Sequence, residues 1–143
     1  MYRIEKRFTF PMGHRLSKHK GRCFSLHGHN FTVLVGVKAE RLDENDMVID
    51  FSDLKRIVMN RLDELDHCML LNVNDKALAE KFQALGMRVM TVNHDPTAEK
   101  LAQNLYWSIG TALSKTYPVE GSVRIDYVTV FENENSKATF STE

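Results

Sequence analysis

The 143-residue sequence predicts an α+β fold in which helices cover one face of an antiparallel β-sheet. Two observations lead to this prediction. Apolar and polar residues alternate near both ends of the chain, as is typical of strands, and apolar residues recur at helical spacing in the middle. The order is therefore two strands, then helices, then two or more strands. The length suits a single domain spanning residues 1–143.

Alternation predicts a first strand over Tyr2–Phe10 and a second over Asn30–Ala39. The polar, basic residues 11–26 between them are predicted to form a loop, too long for a tight hairpin. Near the C-terminus, Val123–Phe131 alternates in the same way, and Lys137–Ser141 is a candidate final strand. Neighbouring strands of this kind pair most simply in antiparallel fashion.

Two helical patterns occupy the centre of the chain. The first opens at Phe51, with Ser52 as its expected N-cap, and ends near Leu65. The second is shorter, spans Lys76–Leu85 and is closed by Gly86.

A short strand over Met87–Val92 is predicted to precede the longest helix. Asp95 is the expected cap of that helix, Pro96 fits its first position, and Glu99 lies in the first turn, where the helix dipole favours a negative charge. The apolar spacing continues to about Lys115.

Composition excludes several classes of function. Nineteen basic and nineteen acidic residues give a net charge of zero, which argues against a nucleic-acid binder that neutralises phosphates. The one basic cluster, residues 15–22, is typical of a solvated loop, although it could attract a small anion. No apolar stretch approaches the roughly 20 residues of a membrane span, and no signal peptide is evident. The two cysteines are too few for a disulfide framework, so a reduced, cytoplasmic protein is expected.

Directly before the second predicted strand lie three side chains that can bind a metal or transfer a proton: Cys23, His27 and His29. In extended chain, residues i and i+2 share a face, so His27 and His29 would lie about 7 Å apart along the backbone. His14 ends the first strand-like region and is a third candidate ligand. Three histidines around zinc leave a fourth position open, which is the arrangement of a catalytic site.

Other interpretations of this segment remain open. The two histidines of a His-x-His pattern can be surface residues of a loop, with His14 unrelated to them. Cys23 could be a fourth ligand that closes the zinc site, a small buried residue, or a reactive base.

Three acidic groups and one further histidine complete the candidates. Asp66 and His67 follow the first helix. One interpretation is structural, because the helix dipole favours a histidine at the C-terminal end of a helix. The other is functional: a bend at this point would let the carboxylate of Asp66 orient the His67 imidazole for proton transfer. Glu132 ends an apolar strand and is either an exposed carboxylate or an acceptor for the paired N–H donors of a planar heterocycle. Glu134, two residues further along the chain, is the alternative candidate for this acceptor.

Taken together, the chain resembles the family of 6-pyruvoyltetrahydropterin and 6-carboxytetrahydropterin synthases. Six landmarks in order carry the resemblance: Phe10 to His14, Cys23-x-x-x-His27-Gly28-His29-Asn30, Val48-Ile49-Asp50-Phe51-x-x-Leu54-Lys55, Leu65-Asp66-His67, Pro96-Thr97-x-Glu99 and Val130-x-Glu132. Each is weak alone, but their order and spacing together are specific.

The resemblance implies a tunnelling fold, in which copies of the chain join their sheets into a barrel. It further implies a homohexamer built as a dimer of trimers, with sites between subunits. Barrel closure would leave no open sheet edge.

The resemblance also implies a lyase reaction on 7,8-dihydroneopterin triphosphate. Zinc on His14, His27 and His29 would bind the side-chain hydroxyls of the substrate, and Cys23 would be the proton-transfer base. Triphosphate would then leave by elimination.

Further roles follow from the same resemblance. Asp66 and His67 would form the second proton relay, Glu132 would anchor the pterin ring, and Thr97 would contact it. The favoured product is 6-carboxy-5,6,7,8-tetrahydropterin, on the pathway to queuosine and other 7-deazaguanines. The alternatives are 6-pyruvoyltetrahydropterin on the biopterin pathway, a non-catalytic zinc-binding module, and a tunnelling-fold relative that binds pterins or purines without this reaction.

Two departures from the family pattern stand out. Met12-Gly13 replaces the small residues that precede the first histidine, and residues 72–94 are longer than in the shortest members. The second change predicts an added helix and strand near the mouth of the site.

Overall fold

The structure, a computed structural model, describes residues 1–143. Six strands form one sheet in the order β4-β3-β1-β2-β5-β6. The strands are β1 (Tyr2–His14), β2 (His27–Ala39), β3 (Met69–Asn72), β4 (Val89–Val92), β5 (Arg124–Asn133) and β6 (Ser136–Phe140), and the helices are α1 (Phe51–Leu65), α2 (Lys76–Ala84) and α3 (Ala98–Thr116).

The sheet is mixed rather than wholly antiparallel. The four strands β1, β2, β5 and β6 pair in antiparallel fashion, as the sequence predicts. β3 runs parallel to β1, and β4 runs parallel to β3. β3 is not predictable from the sequence pattern, because its four residues include three consecutive apolar side chains without alternation.

The first hairpin is longer than predicted. β1 continues past Phe10 to His14, and β2 begins at His27 rather than at Asn30. The ladder therefore runs without interruption from the pair Tyr2–Ala39 to the pair His14–His27. Polar composition suggested a loop here, but backbone pairing does not depend on side-chain polarity, and the buried Met12 maintains the alternation.

Helices α1 and α3 pack on one face of the sheet, α3 against β5 and β6, and α1 against β1 and α3. A core of 27 buried residues fills this layer. The inward side chains of β2 are almost fully buried, and each large one contributes about 1.5–3 kcal/mol. No helix of the chain combines the length and the apolar character needed to cross a lipid bilayer.

Helix α1 begins at Phe51 as predicted, but its N-cap lies two residues before the predicted one. Asp50, not Ser52, is the N-cap, because Asp50 keeps an extended backbone and its carboxylate accepts a hydrogen bond from the Ser52 amide at 2.7 Å. Ser52 already lies within the first turn.

The start of α3 is also displaced. Thr97, not Asp95, is the N-cap, and its hydroxyl oxygen accepts a hydrogen bond from the Lys100 amide at 3.2 Å. Pro96 therefore precedes the helix instead of occupying its first position. Asp95 cannot act as the cap because its carboxylate binds Ser17, Lys18 and Asn72.

Candidate active site

The register of β1 and β2 brings three histidines together at one end of the sheet. His14 and His27 are direct partners, and His29 lies opposite Met12, two residues along. Partner residues and residues i and i+2 point to the same face, so all three imidazoles share the face covered by the helices. Their ring centroids lie 4.5 Å (His14–His27), 5.1 Å (His14–His29) and 5.0 Å (His27–His29) apart.

Backbone carbonyls orient two of the rings. His14 donates from Nδ1 to the Pro96 carbonyl at 2.8 Å, and His27 donates from Nδ1 to the Ser25 carbonyl at 2.8 Å. Because a carbonyl can only accept, the proton of each neutral ring lies on Nδ1 and the lone pair lies on Nε2. This is the usual outer support of a metal-binding histidine.

The free nitrogens of the cluster fit a cation. Nε2 of His14 and Nε2 of His29 are buried and have no hydrogen-bond partner, and such an orphaned atom costs about 1–3 kcal/mol. Burial lowers the pKa of both rings, against the opposing charge of Glu132, and so favours the neutral, ligating form. One ligand atom from each of the three histidines lies within 4.8 Å of the others. This donor set suits zinc with a fourth position open.

Cys23 lies apart from the three ligands. It is a free, half-buried thiol in the short 3-10 turn Arg22–Phe24, and the group of potential ligands does not include it. Its carbonyl accepts a hydrogen bond from the Leu16 amide at 2.9 Å, which fixes the turn against the chain leaving β1. This placement favours an open three-histidine site over one closed by sulfur.

Asp66 and His67 form the predicted pair at a bend. His67 has a φ of 59°, in the left-handed region, and its Nδ1 lies 2.6 Å from Oδ1 of Asp66. The amide of His67 donates to the Pro11 carbonyl at 2.8 Å, so β1 fixes the bend. The imidazole of His67 is 74% exposed. It lines an open cleft of about 660 Å³, together with Arg88, the last residues of β1 and the first residues of β2.

Glu132 and Thr97 approach the cluster from two other elements. Glu132 lies two residues beyond the fully buried Val130 on β5, at an irregularity in the pairing of β5 with β6, and is half-buried. Its negative charge partly offsets the lowering of the pKa of His14 and His29 by burial, which indicates its proximity to both. Thr97 directly follows Pro96, whose carbonyl accepts the hydrogen bond from His14. The Thr97 hydroxyl oxygen accepts a hydrogen bond from a backbone amide, so the hydroxyl proton is free to donate to another group.

The basic cluster is only partly available to an anion. Lys18, Lys20 and Arg22 are exposed, but Arg15 is half-buried and is engaged by Phe24 and Asp75.

Sequence reasoning missed the groups that support the histidines. The carbonyls of Ser25 and Pro96 act through the backbone, so no residue type marks them. Asp95 connects the chain after β1 to the end of β3 through bonds to Ser17, Lys18 and Asn72. Burial alone would raise the pKa of Asp95, but these hydrogen bonds outweigh it and lower the pKa to about 2. A carboxylate beside Pro96 was visible in the sequence, but its partners depend on tertiary structure.

Comparison with known proteins places this geometry in context. A protein-family model described as 6-pyruvoyl tetrahydropterin synthase matches residues 3–143. A 6-carboxy-5,6,7,8-tetrahydropterin synthase of Aquifex aeolicus is 32% identical over an alignment of 163 positions, gaps included, that covers 99% of each chain. The protein of the same name from Haemophilus influenzae is 35% identical over 113 residues, covering 74% of this chain and 80% of that one.

Solved structures show the same fold. An uncharacterized protein of Wolinella succinogenes superposes with a TM-score of 0.82 at 23% identity, covering 99% of this chain and 98% of that one. The 6-pyruvoyl tetrahydropterin synthase of Caenorhabditis elegans gives 0.70 at 22% identity, covering 99% and 96%. The predicted tunnelling fold, with helices on one face of the sheet, is confirmed.

Proposed function

The chain belongs to the 6-pyruvoyl tetrahydropterin synthase family, and from this premise we propose that it is a 6-carboxy-5,6,7,8-tetrahydropterin synthase. The proposed substrates are 7,8-dihydroneopterin triphosphate and one molecule of water, and the products are the carboxypterin, acetaldehyde and triphosphate, on the pathway to queuosine. Relatives at 32% and 35% identity carry the 6-carboxy name. The 6-pyruvoyl structures, at about one-fifth identity, support the fold alone.

The observation that carries the proposal is the cluster of three imidazoles with two buried, unpartnered Nε2 atoms. His14, His27 and His29 would hold Zn²⁺. When bound, the ion would supply Lewis acidity toward the hydroxyls of the substrate side chain.

In this proposal Cys23 is the base that removes a proton from the substrate side chain. It is partly exposed, unlike Cys68, which is buried at 3% exposure. Burial raises the pKa of the Cys68 thiol, which keeps that cysteine protonated and leaves Cys23 as the reactive one.

His67 is the second proton carrier in the proposal. The hydrogen bond between its Nδ1 and Asp66 leaves Nε2 free to exchange a proton, and the carboxylate stabilises the imidazolium that results. Loss of triphosphate accompanies these proton transfers.

Glu132 is proposed to fix the pterin ring. A carboxylate accepts two parallel N–H bonds, which matches the donor pair of an aminopyrimidinone. Thr97 would donate its remaining hydroxyl proton to the same ring.

We propose further that the single domain assembles into a homohexamer, a dimer of trimers, in the cytoplasm. β4 and β6 are the two edges of the sheet, and exposed edges favour pairing with another chain. His67 is exposed and is not a member of the histidine cluster, which is consistent with a site that a neighbouring copy completes.

The decisive experiment is incubation of the zinc-loaded protein with 7,8-dihydroneopterin triphosphate and identification of the products by mass. Acetaldehyde and a carboxypterin support the proposal. A pyruvoyl product supports the alternative, 6-pyruvoyltetrahydropterin synthase. Unchanged substrate, with the metal loaded and the oligomer intact, rejects both.

A further inference from the structure

Three side chains from separate parts of the chain meet beside Cys23. The guanidinium carbon of Arg15 lies 4.0 Å from the ring centroid of Phe24. Nη1 of the same guanidinium lies 3.5 Å from Oδ1 of Asp75. We call Arg15, Phe24 and Asp75 the latch.

The charged pair of the latch is largely withdrawn from water, whereas Phe24 is 48% exposed. The side chains of Arg15 and Asp75 are 20% and 12% exposed, and Nε of Arg15 and Oδ2 of Asp75 are buried without a partner. A buried ion pair with unsatisfied atoms stabilises a fold poorly compared with apolar packing. Stability alone therefore accounts badly for this arrangement, and its position suggests a different role.

The latch holds the turn that carries the thiol. Phe24 is the residue after Cys23, and its ring is held from one side by Arg15. The carbonyl of Cys23 is held from the other side by the Leu16 amide at 2.9 Å. Both holding residues directly follow His14, so the geometry of the turn is tied to the end of β1.

We propose that the latch is a set of positioning residues that fixes the Cys23 sulfur relative to the histidine cluster. Arg15 acts through Phe24, and Asp75 acts through Arg15; none of the three is proposed to touch the substrate. This inference rests on the proposed function, in which Cys23 is the base.

The latch also gives the segment 72–94 a role. Asp75 is the N-cap of α2 within this segment. The family resemblance leads us to expect that the segment is longer than in the shortest members. Through Arg15, the added segment would set the position of the reacting thiol and hence influence which substrate side chain is accepted.

Two variants test the latch. Asp75→Asn removes the charge at constant shape, and Phe24→Leu removes the aromatic face while retaining apolar bulk. Phe24→Tyr keeps the face and is the conservative rescue. Glu80→Gln, which breaks only the exposed pair with Lys76 on α2, is the matched control.

The first readout is the rate of iodoacetamide labelling, measured by peptide mass separately at Cys23 and Cys68. We expect labelling of Cys23 to accelerate about fivefold in Phe24→Leu and Asp75→Asn, because the turn loses its side-chain restraint. Phe24→Tyr and Glu80→Gln should label at the wild-type rate. Cys68 is buried, so its labelling rate reports whether a variant is unfolded. If Cys68 is labelled in Asp75→Asn, the test of the latch is the comparison of Cys23 labelling in Phe24→Leu with that in Phe24→Tyr.

The second readout is turnover of 7,8-dihydroneopterin triphosphate. We expect kcat to fall about tenfold in the two latch variants with KM within about twofold, because the base is displaced while the pterin site is untouched. Wild-type rates at Cys23 and an unchanged kcat in both variants would overturn the latch. Absence of turnover in the wild-type protein would instead defeat the proposed function, while the labelling experiment would still decide whether the latch fixes the turn.

Discussion

His14 and Pro96 are 82 residues apart in sequence, yet Nδ1 of the histidine lies 2.8 Å from the proline carbonyl oxygen. The contact joins the end of β1 to the turn before α3. Asp95 fixes that turn by accepting hydrogen bonds from Ser17, Lys18 and Asn72. One orienting bond of the histidine cluster thus depends on a carboxylate that does not touch the three histidines.

Asp95 should make the fold sensitive to acid. Its pKa is held at about 2, below the ordinary 3.8, so its contribution to stability is complete above about pH 4 and is lost as the pH falls toward 2. The shift corresponds to on the order of 1–2 kcal/mol after allowance for partial solvent access. Urea unfolding at a series of pH values should show this loss in the wild-type protein and a flatter profile in Asp95→Asn. Asp63→Asn, at an exposed carboxylate on α1, is the control, and equal profiles for wild type and Asp95→Asn would contradict the assignment.

His29→Ala should abolish tight metal binding. Removal of one of three imidazole ligands is expected to weaken zinc affinity by on the order of 100-fold or more. Competition with a chelator and elemental analysis measure this directly. His19→Ala removes an exposed histidine outside the cluster and should retain about one zinc per chain. Equal zinc content in the two variants would show that the cluster is not the site.

Cys23→Ala should abolish turnover without loss of zinc. Because the sulfur is not a member of the histidine cluster, the variant is expected to keep its zinc and its melting temperature while turnover is lost. A parallel loss of zinc and stability would instead indicate that sulfur completes the coordination sphere.

Asp66→Asn should impair catalysis without unfolding the protein. The amide retains the shape of the side chain and the backbone bond to Leu62, but it no longer stabilises a charged His67. We expect kcat to fall on the order of 100-fold, in the range measured for general acid–base groups. Thermal unfolding should be nearly unchanged, since the His67 imidazole is 74% exposed. A wild-type kcat would remove His67 from the proposed relay.

Gly36→Ala should destabilise the sheet. A Cβ at this position would overlap the ring of Tyr127, which lies over the glycine from the neighbouring strand and is held there by its hydroxyl bond to Glu5. Overpacking of this kind costs about 1–3 kcal/mol. Denaturant unfolding measures the loss, and the double variant with Tyr127→Ala should lose less than the sum of the two single changes. Strict additivity would show that the overlap is not the cause.

The sequence sufficed to predict the histidine cluster because strand alternation is a local property. Once β1 and β2 pair, the spacing of His27 and His29 decides their common face. The extension of β1 to His14 and the start of β2 at His27 were not predicted. The helix starts were less predictable. Asp50 and Ser52 are both good caps, and the choice depends on where the chain leaves the extended conformation.

Other features of the structure could not be predicted from the sequence because they depend on contacts between distant segments. β3 owes its parallel partners β1 and β4 to tertiary packing, since its short apolar run has no period. The stacking of Arg15 on Phe24 is likewise invisible in a segment whose basic composition suggested only a solvated loop.

The 13 paired positions of β1 and β2 have a consequence for how the protein matures. The ladder and the core beneath it hold all three imidazoles in place through contacts that do not involve an ion, in contrast to zinc fingers, which need the ion to fold. We therefore expect the proposed ion to bind after folding, and a chelator to strip it reversibly while the protein stays folded.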